Sequence, residues 1–178
     1  MIIEEKLKDF GLISTSGQTV NTQDLESKPA LLVVITCNHC PYAVAYWTRV
    51  IKLASNFQED GLATIAICGN DASKYPADSY ENMQKLATEL NLPFPYLHDP
   101  KQEVINQLGA QRTPEVFLFD KNRELVYQGA IDDNWENEHA VMEAYLEEAI
   151  EYCLDNLEID QPETQAVGCS VKWLTQNA

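Results

Sequence analysis

Residues 30–35 read ALLVVI, six apolar residues without polar alternation. A strand with one wet face alternates. A run that is apolar throughout and half β-branched suits a strand covered on both faces, in the interior of a sheet. Such a strand needs other elements packed above and below it, which points to an α/β layered architecture. The run stops at Thr36-Cys37-Asn38-His39-Cys40-Pro41. The chain therefore carries two cysteines at C-x-x-C spacing to the end of a covered strand. A proline follows at a position where a helix can begin, because its missing N–H would have no partner there anyway.

Helical spacing of Val44, Trp47, Val50, Ile51, Ala54 and Phe57 predicts a helix from Pro41 to Phe57. Gly61–Cys68 reads as a second covered strand, parallel to the first. Residues 69–79 are rich in turn formers, and Ser79 is placed to cap a helix over Tyr80–Leu90. Residues 94–98 form a short extended piece, bracketed by prolines and expected at a sheet edge. Asp99-Pro100 is expected to open a short helix closed by Gly109. Glu115–Phe119 and Glu124–Gly129 predict a β-hairpin, and residues 137–155 a long amphipathic helix. At the N-terminus, residues 12–20 suggest another hairpin around Ser16-Gly17. In the tail, residues 160–178, Val167, Cys169, Val171, Trp173 and Leu174 supply enough apolar surface to dock on the body. A length of 178 residues with no visible boundary suits a single domain, with residues 1–29 as an N-terminal extension.

The C-x-x-C spacing admits thiol–disulfide chemistry or half of a metal site. A structural zinc takes four ligands, usually a second close pair. Here the other cysteines (Cys68, Cys153, Cys169) and histidines (His98, His139) stand alone. No metal and no organic cofactor is expected. At a helix N-terminus, free N–H groups and the helix dipole stabilise an anion, so Cys37 is expected to carry a lowered pKa and to act as the nucleophile. Cys40 is then near enough to close a disulfide with it. Thr36, Asn38, His39 and Pro41 would tune the pair, His39 by its positive charge when protonated.

The chain has 12 Lys and Arg against 28 Asp and Glu, a net charge of −16. That balance argues against binding a nucleic-acid backbone or an anionic membrane. No stretch approaches the ~20 apolar residues of a membrane span. MIIEEKLKDFG has no apolar leader segment, and the cysteine count is odd, so a cytoplasmic protein is expected.

The sequence also resembles the thioredoxin-like superfamily, on the side of the AhpC/TSA and TlpA-type proteins. The resemblance rests on Asp9-Phe10 with Leu12, Gly17 with Val20, Asp24-Leu25, Lys28-Pro29, the Cys37–Tyr42 segment, and Arg112-Thr113-Pro114 ahead of EVFLF. Together with Gly168-Cys169-Ser170-Val171-Lys172-Trp173, the pattern is similar to a peroxiredoxin-like subgroup with a C-x-x-C pair. It implies a thioredoxin fold: a central mixed sheet flanked by helices, here with an N-terminal β-hairpin extension and a C-terminal tail. It implies a thiol–disulfide oxidoreductase acting on protein thiols and disulfides and drawing electrons from a dithiol donor. In that chemistry Cys37 attacks and Cys40 resolves. The loop Arg112-Thr113-Pro114, with a cis Thr113–Pro114 peptide, would dock an extended partner chain. The alternative is an antioxidant thiol peroxidase, with Cys37 peroxidatic and Cys40 or Cys169 resolving. Cys169 is in either case a candidate third redox thiol, with Lys172 nearby to favour its thiolate. The chain departs from the pattern in two places. ALLVVI contains no buried acid to serve the second cysteine, and only Arg49 and Arg112 stand as candidates for a peroxide-polarising arginine.

Overall fold

The computed structural model describes residues 1–175. Its strands are β1 (Gly11–Ser14), β2 (Thr19–Asn21), β3 (Ala30–Ile35), β4 (Leu62–Cys68), β5 (Tyr96–His98), β6 (Arg112–Thr113), β7 (Glu115–Phe119), β8 (Leu125–Gly129) and β9 (Cys169–Ser170). Its helices are α1 (Pro41–Phe57), α2 (Tyr80–Glu89), α3 (Glu103–Leu108) and α4 (Tyr145–Leu154). Seven strands form one mixed sheet in the order β2-β1-β5-β4-β3-β7-β8, and β6 pairs separately with β9. The thiol-bearing strand is central. β3 runs parallel to β4, Ala30 facing Leu62, and antiparallel to β7, Ile35 facing Glu115.

The uninterrupted apolar run of β3 has the expected cause. Ala30, Leu32 and Val34 face Tyr46, Trp47 and Val50 of α1, Leu146 and Ile150 of α4, and Met83 of α2. Leu31, Val33 and Ile35 face the opposite layer, with Val104, Ile105 and Leu108 of α3 and Leu7 near the N-terminus. Both layers are dry, and each large side chain buried there stabilises the fold by about 1.5–3 kcal/mol. The end of β3 is therefore a fixed platform for the cysteines that follow. No helix among the described residues is long and apolar enough to cross a membrane.

Three local expectations are corrected. β5 is an interior strand, because the N-terminal hairpin closes against its outer side, Ile13 facing His98 and Ser14 facing Leu97. α3 begins at Glu103, later than expected. Gln102 takes a left-handed backbone (φ 62°), and the Asp99 carboxylate reaches across the turn to accept the N–H groups of Glu103, Val104 and Ile105 at 3.2, 2.9 and 3.0 Å. The expected helix over residues 137–155 is helical only from Tyr145. Ahead of it, Asn137 caps a single tight turn over Glu138–Ala140, and the Asp133 N–H bonds the Glu143 carbonyl. Residues 137–144 bury no apolar face, and a short helix without one is marginal in water. The last three residues of the expected docked tail, 176–178, lie outside the described residues.

Cys68 ends β4, fully buried, and burial pushes its thiol up to about 12, with the Asp78 charge adding. An unfolded thiol ionises near its ordinary value, so above pH 9 the unfolded chain binds fewer protons than the native one. Stability is full below that pH and falls as pH rises through 12, by up to about 4 kcal/mol. Urea titrations at neutral and alkaline pH should show a smaller alkaline loss in Cys68→Ala than in the parent chain; equal losses would refute this.

Candidate active site

β3 delivers the chain to the site in register. The Thr36 N–H extends the parallel ladder by donating to the Ile67 carbonyl at 2.9 Å, and Thr36 is itself buried. Four residues on, Cys40 is the N-cap of α1, and Pro41 takes the first helical position. Cys37 thus lies ahead of the helix, and the helix mouth belongs to Cys40. Both cysteines are 0 % exposed. The loop before β7 closes on them. The Thr113–Pro114 peptide is cis, as the family resemblance implies. In the thiol form Cys40 donates to the Thr113 carbonyl oxygen at 3.2 Å, and Cys37 to the Thr113 hydroxyl at 3.5 Å. All five cysteines are unbridged.

The electrostatics differ from the expectation of a Cys37 thiolate. The two thiols sit together on Thr113, so the protons leave in two steps that belong to the pair. Cys37 is pushed up, first by sharing its proton with Cys40, then by burial, with the Asp78 carboxylate adding. Cys40 is pulled down, first by Cys37 and then, against burial, by Cys169 and the Ala43 N–H. The negative charge is favoured on the N-cap sulfur. This follows from where α1 starts: the Ala43 N–H inside the helix reaches Cys40, whereas Cys37 has the Cys40 N–H with a carboxylate opposing it.

That carboxylate is a residue the sequence did not single out. Asp78 is 0 % exposed and organises the whole segment between the cysteines. It accepts the Asn38 N–H at 2.8 Å, an Asn70 amide N–H at 2.8 Å, and pairs with His39 Nδ1 at 2.7 Å. Asn38 also donates to the Ala77 carbonyl at 2.8 Å and accepts from the Tyr96 hydroxyl at 3.0 Å. His39 stacks on Tyr75, ring centres 5.5 Å apart. Its positive charge, when present, is thus shared with Asp78 before it reaches a sulfur. Donor atoms of Cys37, His39 and Asp78 lie within 4.8 Å of one another. They are fewer than the four that a structural zinc takes, and the Asp78 oxygens already have three donors. A buried acid does lie beside the pair, against Cys37 and not Cys40, and it comes from the loop before α2. Nothing in DASKYPADS distinguishes Asp78 from Asp71.

Of the two arginine candidates, Arg49 is engaged elsewhere. It bonds Asp132 at 2.7 Å and the carbonyls of Asn134 and Trp135, with its guanidinium over the Tyr46 ring. Arg112 is exposed on β6, facing Ser170.

The tail docks, as expected, and covers the pair. β9 runs antiparallel to β6 with Cys169 opposite Thr113, immediately before Pro114. Upstream, the Thr164 hydroxyl bonds the Tyr127 hydroxyl at 2.6 Å and accepts the Ala130 N–H at 2.9 Å. Downstream, Val171 is buried in the second core layer, the Lys172 N–H bonds Asn70 Oδ1 at 2.9 Å, and the Leu174 N–H bonds Gln102 Oε1 at 2.7 Å. Cys169 is half-buried and packs against the core cluster that contains Cys40. Its thiol is pushed up to about 11, by burial first and then by Cys40, against Lys172 and Arg112. Lys172 does favour the thiolate, but it is outweighed.

A sequence model of the AhpC/TSA family matches residues 3–128. The chain belongs to the AhpC/TSA family. A curated relative, the thiol-disulfide oxidoreductase ResA of Halalkalibacterium halodurans, is 24% identical over 122 residues, which cover 68% of this chain and 65% of the relative. The chain therefore spans about two thirds of that protein's length. A hypothetical protein of Sinorhizobium meliloti 1021 is similar throughout: 32% identity, TM-score 0.93, covering 99% of this chain and 97% of the other. The peroxidoxin BcpB of Mycobacterium tuberculosis shares the fold alone, at 18% identity and TM-score 0.67 over 89% of this chain and 99% of the other. This AhpC/TSA chain is a thioredoxin-like α/β protein with a central mixed sheet between helices, as the resemblance implies.

Proposed function

We propose that the chain is a thiol–disulfide oxidoreductase that works through a reversible Cys37–Cys40 disulfide, on protein thiols and disulfides, with electrons from a dithiol donor. The observation that carries this reading is the placement of the two thiols at the end of β3, both seated on Thr113, one at its hydroxyl and one at its carbonyl, with the helix mouth at Cys40. A thiolate beside a second thiol is the reactant for closing or opening a disulfide. Thr113 presents its carbonyl and hydroxyl to the two sulfurs, and β6 is a strand on which an extended segment pairs, as the tail strand β9 does here. Thr36, Asn38, His39 and Pro41 hold the segment in place. Arg112 and Thr113 belong to the docking edge. A peroxidase would need an arginine to polarise peroxide at a sulfur, and Arg49 is bound to Asp132.

Stopped-flow oxidation of the reduced chain tests this reading. A protein disulfide such as insulin is expected to oxidise the pair at least about tenfold faster, at equal concentration, than hydrogen peroxide does. Faster reaction with peroxide, with sulfenic acid trapped on Cys37 in the Cys40→Ser protein, would favour the peroxidase instead.

A further inference from the structure

We propose that Cys169 is the exchange point through which an outside dithiol reaches the buried pair, by way of a Cys40–Cys169 disulfide. This deepens the oxidoreductase reading and rests on it. A dithiol that is 0 % exposed cannot meet a macromolecular partner directly. The tail covering it packs one half-buried sulfur against the core cluster that holds Cys40, opposite Thr113, whose carbonyl takes the Cys40 thiol. That sulfur is carried on a strand paired to β6, the arrangement an extended substrate would adopt on a free strand edge. The chain's own tail thus occupies the docking edge with a cysteine at the reacting position.

The steps balance. With the pair oxidised, the Cys169 thiolate attacks the Cys40 sulfur. The Cys169–Cys40 bond forms, the Cys40–Cys37 bond breaks, and the electron pair leaves on Cys37, which takes the proton Cys169 gave up. A thiolate of the outside dithiol then attacks Cys169 and expels Cys40 as the anion. A low thiol pKa makes a fast leaving group, and Cys40 is held low. The outside molecule's second thiolate closes its own disulfide and frees Cys169. Two electrons pass from the outside dithiol to the pair; of its two protons, one restores the Cys169 thiol and the other goes to solvent, because Cys40 stays an anion. Timing is built in: the Cys40 sulfur is among the groups that hold the Cys169 proton. In the oxidised pair Cys40 carries no charge, which leaves Lys172 and Arg112 to favour the Cys169 thiolate.

Two measurements on the full chain test the relay. First, Cys37→Ser is oxidised with diamide, alkylated, and mapped by mass spectrometry under non-reducing conditions. A Cys40–Cys169 disulfide is expected; two free thiols would overturn the relay. Second, the oxidised parent chain and Cys169→Ser are each reduced by a reduced thioredoxin. The variant is expected to react about 100-fold more slowly, although diamide still forms its Cys37–Cys40 disulfide. Reduction at the parent rate would overturn the relay and leave the oxidoreductase reading standing. A parent chain in which diamide forms no Cys37–Cys40 disulfide would overturn both.

Discussion

Asp78→Asn is expected to destabilise the fold by about 3 kcal/mol and to lower the pH at which the second thiolate of the pair appears. The stability loss follows from geometry. Both carboxylate oxygens of Asp78 are acceptors: one takes the Asn38 N–H, the other faces Asn70 and His39. An amide replaces one of those oxygens with a donor. Whichever way it turns, donor meets donor in a site without water access, and unmet buried donors cost about 1–3 kcal/mol each. The redox effect follows from charge. The carboxylate opposes an anion on Cys37, so removing it makes the second proton loss easier. Urea titration measures the first effect, and thiolate ultraviolet absorbance against pH the second. An unchanged second ionisation would mean that the Asp78 charge is not felt at Cys37.

Gly168→Val is expected to raise the rate at which iodoacetamide alkylates Cys40 at neutral pH by about 10- to 100-fold, because exposure there is controlled by local opening. A side chain on Gly168 would collide with the Thr113 carbonyl and the Pro114 nitrogen. Those are backbone atoms and cannot rotate away. The tail must lift, breaking the pairing of Cys169 with Thr113 and uncovering sulfurs that are otherwise closed. Cys40 already holds the negative charge, so access limits its reaction. Global stability should change less than the alkylation rate, since the seven-stranded sheet is untouched and Val171 is the tail residue buried in the second core layer. Mass spectrometry of native-state alkylation over time gives the answer; a parent-like rate would mean that something other than the tail protects the pair.

What was legible in the sequence was whatever had a local cause. The bounds of β3 followed from an unbroken apolar run, and the start of α1 from a proline that fits only the first turn. The pairing of Cys37 with Cys40 followed from spacing. What was not legible depended on long-range partners. β5 looked like an edge because nothing in FPYLH announces that a hairpin some 80 residues upstream will close on it. Residues 137–144 carry helix-compatible residues but meet no core, so propensity lost to the absence of burial. The charge was assigned to Cys37 because the helix dipole can be read from sequence, whereas Asp78 cannot. It is one of 28 acidic residues, and its burial is set by where the loop before α2 folds back on Asn38.

The upstream anchor of the tail has a further consequence. Thr164 is held against Gly129, whose left-handed backbone (φ 132°) and missing side chain let the two strands of chain touch. From that pin to Cys169 the chain reaches at most about 18 Å when fully extended. A sulfur on so short a leash experiences its target at millimolar effective concentration even when unseated. Glutathione and other free thiols at comparable concentration therefore gain no advantage over it, and recapture of Cys40 remains an intramolecular event.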